Sequence, residues 1–185
     1  DFIINSGLAL GALAIVPSLA FSGKPKNIGL QLYTLRDTFS KDVKGVLEHV
    51  AKSGYKEVET YGFSSEKGLF GTSPKDFKKI LTDNGLKATS GHYDFKSLIK
   101  DNNSDFLKAS IECANVIGSE YVVVPWLEES LRSNLDDYKR IAQKVNEAAV
   151  LCKQSGLKLA YHNHDFEFTK FGNQCGYDVL LQETD

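Results

Sequence analysis

The sequence predicts an α/β fold built on a parallel sheet, and three observations predict it. Short apolar runs recur about every 30 to 37 residues, amphipathic helical stripes fill the intervals, and a glycine stands just ahead of most runs. The runs begin near Asn27 (Ile-Gly-Leu-Gln-Leu), Lys56 (Glu-Val-Glu-Thr), Lys87 (Ala-Thr-Ser-Gly-His), Glu120 (Tyr-Val-Val-Val) and Lys158 (Leu-Ala-Tyr-His). Gly54, Gly85, Gly118 and Gly156 fall where helices should end, at the left-handed position past the last turn.

The helices are read from their stripes. Val43, Val46, Leu47, Val50 and Ala51 make one; Phe106, Ala109, Cys113, Ala114 and Ile117 make the next; Tyr138, Ile141, Ala142, Val145, Ala149 and Cys152 make a third. A shorter helix opens at Ser73-Pro74-Lys75-Asp76, with Ser73 as N-cap and Pro74 in the first turn. Strand, helix and strand at this spacing mean right-handed βαβ units.

A doubly wound sheet and a closed barrel both fit that alternation. No Gly-x-Gly-x-x-Gly follows the first run, where Gly29-Leu30-Gln31-Leu32-Tyr33-Thr34 stands instead, so the main argument for a dinucleotide fold is missing. Polar and aromatic residues gather at the C-terminal ends of all five runs, which is where a barrel builds its active site. The expected architecture is therefore a TIM (β/α)8 barrel, present as about its first five β/α units over residues 23–185.

The 185 residues carry a net charge of −2 and 42% hydrophobic content, which suits one domain and argues against a nucleic-acid partner, because phosphate binding needs a basic face. Cys113 and Cys152 lie on apolar stripes and are expected as buried thiols; Cys175 stands apart. Residues 1–22 read as an export signal. No charge occurs from Ile3 to Ser22, and the run ends in Pro17-Ser18-Leu19-Ala20, a small-x-small pattern suited to cleavage after Ala20. Asp1-Phe2-Ile3 is similar to the residues that follow the two arginines of a twin-arginine signal. The expectation is a periplasmic bacterial protein with no stable membrane insertion after cleavage. The C-terminal residues Leu181-Gln182-Glu183-Thr184-Asp185 read as helix, so the chain is expected to be a fragment. Nothing in the sequence sets an oligomeric state.

Candidate chemistry follows the strand ends. Tyr33, beside Arg36 and Asp37, is placed at the barrel mouth. On the second run, alternation puts Glu57 and Glu59 opposite Val58; a carboxylate inside a barrel needs polar partners, which makes Glu59 a substrate-site candidate. His92 follows Gly91 at the third mouth position, with Asp94 near enough to orient it. Trp126, the chain's one tryptophan, could stack on the apolar face of a sugar. The densest cluster closes the fifth run: His162, Asn163, His164, Asp165 and Glu167. Borderline divalent metals take imidazole and carboxylate together, and enolising a ketose needs a Lewis acid beside a base. His162, His164 and Glu167 are the candidate metal ligands or catalytic groups; Asn163 falls on the opposite face if the strand runs that far.

Gly29-Leu30-Gln31-Leu32-Tyr33-Thr34-Leu35-Arg36-Asp37, Gly54-Tyr55-Lys56-Glu57-Val58-Glu59 and Tyr161-His162-Asn163-His164-Asp165-Phe166-Glu167-Phe168 together resemble the xylose-isomerase-like TIM-barrel family, in its sugar phosphate isomerase/epimerase group, from about Asn27 onward. The resemblance implies a metal-dependent sugar isomerase or epimerase that removes a proton α to a carbonyl of a sugar or keto-sugar. It implies a divalent ion (Mn, Co, Mg or Zn) held by a fifth-strand Glu and by an Asp, a His and a Glu from strands six to eight. The sequence departs from that pattern, because the fifth-strand Glu falls nearest Tyr161 or His162. Either a histidine replaces it or Glu167 reaches back from the loop. A dehydratase or 3-keto-glycoside lyase on the same barrel, and a non-catalytic carbohydrate-binding barrel, are the alternatives.

Export is tested on protein recovered from the native host, whose mature N-terminus is expected near Phe21. An uncleaved cytoplasmic product would contradict it.

Overall fold

The structure is a computed structural model that describes residues 27–39 and 41–185. The expected export segment, residues 1–22, lies outside the described residues. Among the described residues no helix is long and apolar enough to cross a membrane.

Five parallel strands form the central sheet: β1 (Gly29–Gln31), β2 (Glu57–Thr60), β5 (Lys87–His92), β6 (Tyr121–Val124) and β7 (Lys158–Tyr161). Neighbours in this sheet follow one another along the chain, in the order β1-β2-β5-β6-β7. A doubly wound sheet reverses its strand order at a switch point. Here the order never reverses, which is the winding of a barrel wall. β1 and β7 are each paired on one side only among the described residues. All five strands lie where the apolar runs place them.

The connecting helices are α1 (Arg36–Phe39), α2 (Val43–Lys52), α3 (Pro74–Asp83), α4 (Lys96–Asp101), α5 (Asp105–Ile117), α6 (Leu135–Gln154) and α7 (Gly176–Glu183). Alternation along β2 sends Val58 and Thr60 to the helix side, where they are buried, and leaves Glu57 and Glu59 half-buried on the other side. Val58, Ala88, Val122 and Val124 meet Leu47, Phe77, Ile117 and Ile141 in one apolar core. All three cysteines are free and buried, as expected for Cys113 and Cys152.

Two short hairpins, β3 (Phe63–Ser64) with β4 (Gly68–Leu69) and β8 (Lys170–Phe171) with β9 (Gln174–Cys175), lie in the loops after β2 and β7. They and α4 carry no periodic stripe and are not expected from the sequence. Ser73 caps α3 as its position suggests, its Oγ accepting from the Asp76 N–H at 3.2 Å.

Gly118 ends α5 at φ +81°, a conformation that side chains rarely adopt, and a Cβ there would lie 2.7 Å from the Lys78 Nζ. That ammonium donates to the Ile117 carbonyl at 2.6 Å, tying α3 to the end of α5. Gly54 ends α2 at φ +97° with nothing within 4 Å of the same point. Gly54→Ala is therefore expected to cost about 1 kcal/mol from backbone strain alone. Gly118→Ala should cost roughly 1 kcal/mol more, because it also displaces a hydrogen-bonded lysine. Denaturant unfolding of both variants checks this, and equal costs would show that the Lys78 bond contributes nothing.

Candidate functional site

Strand register builds a polar row across the sheet. Gln31 lies beside Glu59, and Glu59 beside Ser90, across a register shift between Val58 and Glu59. Gln31 Nε2 donates to Glu59 Oε1 at 2.9 Å, and Ser90 Oγ donates to Oε2 at 2.6 Å. Two residues after Ser90, and so on the same face, His92 brings Nε2 to 2.9 Å from Oε1. The ring N–H is not aimed along that line, so His92 Nε2 stays buried without an aligned hydrogen bond. The separation is that of an ion pair when the ring is protonated. Burial by itself would raise the Glu59 pKa; the contacts from His92, Ser90 and Gln31 outweigh it and hold the carboxyl at about 2. Gln31 Oε1 also accepts from the Tyr33 N–H at 2.7 Å, which fixes the chain where it leaves β1.

Asp94 does not orient His92, contrary to the sequence reading. Its carboxylate accepts from the Lys96 N–H at 2.7 Å and so closes the turn into α4; Glu59 is the acid beside His92. Arg36 donates to the Tyr33 carbonyl at 3.2 Å and lies over the Tyr33 ring.

Beyond β7 the chain carries the histidines. The strand stops at Tyr161, and the ladder continues only through the His162 N–H to the Val124 carbonyl at 3.0 Å. Alternation therefore no longer governs His164. The ring of His162 lies 5.1 Å from that of His92 and 4.8 Å from that of His164, and Trp126 meets His164 edge-on at 4.8 Å. Burial, followed by the neighbouring His92 and His164, lowers the His162 pKa below its ordinary 6.5. His164 Nδ1 is buried without a partner. Asn163 is exposed.

A cavity of about 650 Å³ opens at this end of the sheet, with Tyr33, Tyr61, Trp126, His92, His162 and His164 in its wall. A second, about 570 Å³, lies along the inner sheet face and is lined by Glu59, Ser90, His92, His162 and Asn163 among others. His92 and His162 stand where the two meet.

Glu167 departs from the expectation that it reaches back to the mouth. It is fully buried in the single turn Phe166–Phe168 and lines neither cavity. Tyr161 Oη donates to its Oε1 at 2.5 Å, and the His164 N–H donates to its Oε2 at 2.7 Å. Burial, then the bond to Glu167, raises the Tyr161 pKa. Burial and the Glu167 charge push Tyr138 up to about 12. Glu167 thus holds the backbone that presents His164.

Those commitments decide the metal question for the described residues. No three His, Cys, Asp or Glu side chains among them are grouped so as to hold an ion, and Glu167 is buried away from both cavities. The set does not fit a metal by itself, so the chemistry of these residues is derived without one. Gln31, Ser90, Tyr61 and Tyr161 escaped the sequence reading. Gln31 and Ser90 could have been found from register, since parallel pairing sets both beside Glu59 on the inner face.

The model of the xylose isomerase-like TIM barrel family matches residues 47–183, and the chain belongs to that family. Two solved structures of sugar phosphate isomerase/epimerases from Parabacteroides distasonis are similar to it. One is 26% identical with TM-score 0.73 over 90% of this chain and 67% of that one; the other is 28% identical with TM-score 0.72 over 86% and 65%. The chain thus spans about two thirds of their length. The IolI protein, solved with a bound zinc atom, shares the fold at 15% identity and TM-score 0.60, over 85% of this chain and 59% of that one. A search of curated proteins finds no match.

A carboxyl depressed on folding contributes stability that is full above its unfolded value and lost as pH falls through its folded value. For Glu59 the window runs from about pH 4.5 down to about pH 2, and its contribution is at most about 3 kcal/mol. Stability measured across that window should fall more steeply in the parent protein than in Glu59→Gln. Parallel curves would show that Glu59 is not held ionised.

Proposed function

We propose that the protein is a sugar isomerase or epimerase that removes the proton α to a carbonyl of a sugar or keto-sugar and returns it. The observation that carries this reading is the meeting of His92, His162 and His164 at the C-terminal ends of β5 and β7 in the wall of one aromatic-lined cavity, with Glu59 of β2 beside His92 in the adjoining one. The two relatives described as sugar phosphate isomerase/epimerases support it.

His162 is the proton acceptor. A histidine titrating below 6.5 is neutral at pH 7 and offers a free nitrogen lone pair. His92 and Glu59 are placed for a substrate hydroxyl in the inner cavity, the Glu59 carboxylate accepting from it with the His92 ring alongside. Asn163, exposed at the rim of the inner cavity, is placed for a second hydroxyl, and the half-exposed Trp126 ring for the apolar face of the sugar. Glu167 acts on the reaction only through the position of His164. A divalent ion would add Lewis-acid polarisation of the carbonyl when bound, and no step above depends on it.

The test is solvent deuterium incorporation into a panel of keto-sugars by the full-length protein, read by mass spectrometry. Protein-dependent labelling at the carbon next to the carbonyl is expected, and His162→Gln should slow it by about 10²-fold or more. Glu167→Gln should lower the rate without changing the metal content of the purified protein. Loss of metal in that variant would return Glu167 to a ligand role, and absence of labelling on every keto-sugar would favour a binding protein.

A further inference from the structure

His164 stands past the end of β7, where no ladder bond reaches it. Its main-chain N–H donates to Glu167, but Nδ1 is buried without a partner, so no hydrogen bond at that nitrogen sets the plane of the ring. Neighbouring rings set it instead. Phe166 lies stacked beside His164, with ring centroids 5.3 Å apart and planes only 8° from parallel. Trp126 meets both rings edge-on, His164 at 4.8 Å and Phe166 at 5.0 Å. The imidazole can be no better oriented than the Phe166 ring it lies along.

Phe166 is held in turn by Arg132. The guanidinium carbon lies 3.7 Å from the centre of the Phe166 ring, the separation of a planar cation resting on a ring face. Nε of the same side chain donates at 2.9 Å to the carbonyl of Leu127, the residue after Trp126. Arg132 and Trp126 belong to the connection between β6 and α6, whereas His164 and Phe166 belong to the one after β7. One half-buried side chain therefore ties the two connections together. Its charge also reaches behind the strand end. Burial and Glu167 raise the pKa values of Tyr161 and Tyr138, and Arg132 opposes the rise in both. Closing the loop after β6 would account for the Nε bond alone. It does not account for a flat cation laid on a ring of the next loop.

We infer that Arg132 is a positioning residue: through Phe166 it sets the plane in which His164 faces the mouth cavity, and through the Leu127 carbonyl it keeps Trp126 beside them. That this plane matters to proton transfer rests on the reading above; the arrangement itself does not.

The test is proton–carbon NMR of the full-length protein labelled at histidine, with the His164 ring signal assigned by its disappearance in His164→Gln. Arg132→Lys keeps the charge and a donor for Leu127 but loses the flat face. Phe166→Leu removes the ring and leaves Arg132 in place. Each is expected to move the His164 signal. The double variant should move it no further than Phe166→Leu alone, because the effect of Arg132 passes through that ring. A His164 signal unmoved by Arg132→Lys would overturn the inference, as would shifts that add in the double variant. The signal of His49, on α2, should stay in place throughout; its movement in Arg132→Lys would mean that Arg132 supports the fold at large, and would overturn a positioning role. In the deuterium labelling, Arg132→Lys should slow exchange by about tenfold at saturating sugar with little change in KM. A parent protein that labels no sugar would defeat the catalytic reading, while the NMR comparison decides the inference by itself.

Discussion

A carboxylate on the inner face of a parallel sheet must find donors on its neighbours, and the arrangement around Glu59 answers that demand. Gln31 donates from the strand on one side and Ser90 from the strand on the other, where His92 Nε2 also lies 2.9 Å from the carboxylate. None of the three is within 27 positions of Glu59 in sequence, so the cluster exists only when β1, β2 and β5 are in register. The same contacts that keep the acid ionised set the position of His92, and through Gln31 they fix the turn that carries Tyr33 to the mouth. The remainder of the site is arranged around that anchor.

Glu167 plays the corresponding part on the far strand, by a different route. It is more deeply buried than Glu59 and takes its donors from the Tyr161 hydroxyl and the His164 main chain. The pair of acids therefore differs in place. One lines the inner cavity; the other lies behind the strand end and shapes the loop. Removing a buried partner of either acid would leave polar groups without water or hydrogen bonds, at about 1–3 kcal/mol each.

The strands, the longer helices and their glycine ends were legible in the sequence because each has a period or a punctuation mark that local chemistry enforces. Val58 and Thr60 buried against Glu57 and Glu59 half-exposed is the alternation expected of a strand. The winding of the sheet and the placement of Glu59, His92, His162 and Trp126 at one end of it followed from the same signals. The failures share a cause. Asp94 and Glu167 were judged by nearness in sequence to histidines, but both lie in loops, where backbone hydrogen bonding decides direction. The short hairpins and α4 were illegible because they have too few residues to show a period.

The account depends most on Glu59 being ionised in its polar row. The direct measurement is carbon-13 NMR of the Glu59 side-chain carboxyl in the labelled full-length protein, assigned by its disappearance in Glu59→Gln, followed from pH 7 downward. The account predicts a resonance that does not move between pH 7 and pH 4, titrating only as the pH approaches about 2. A midpoint at the ordinary value of 4.5 or above would contradict it.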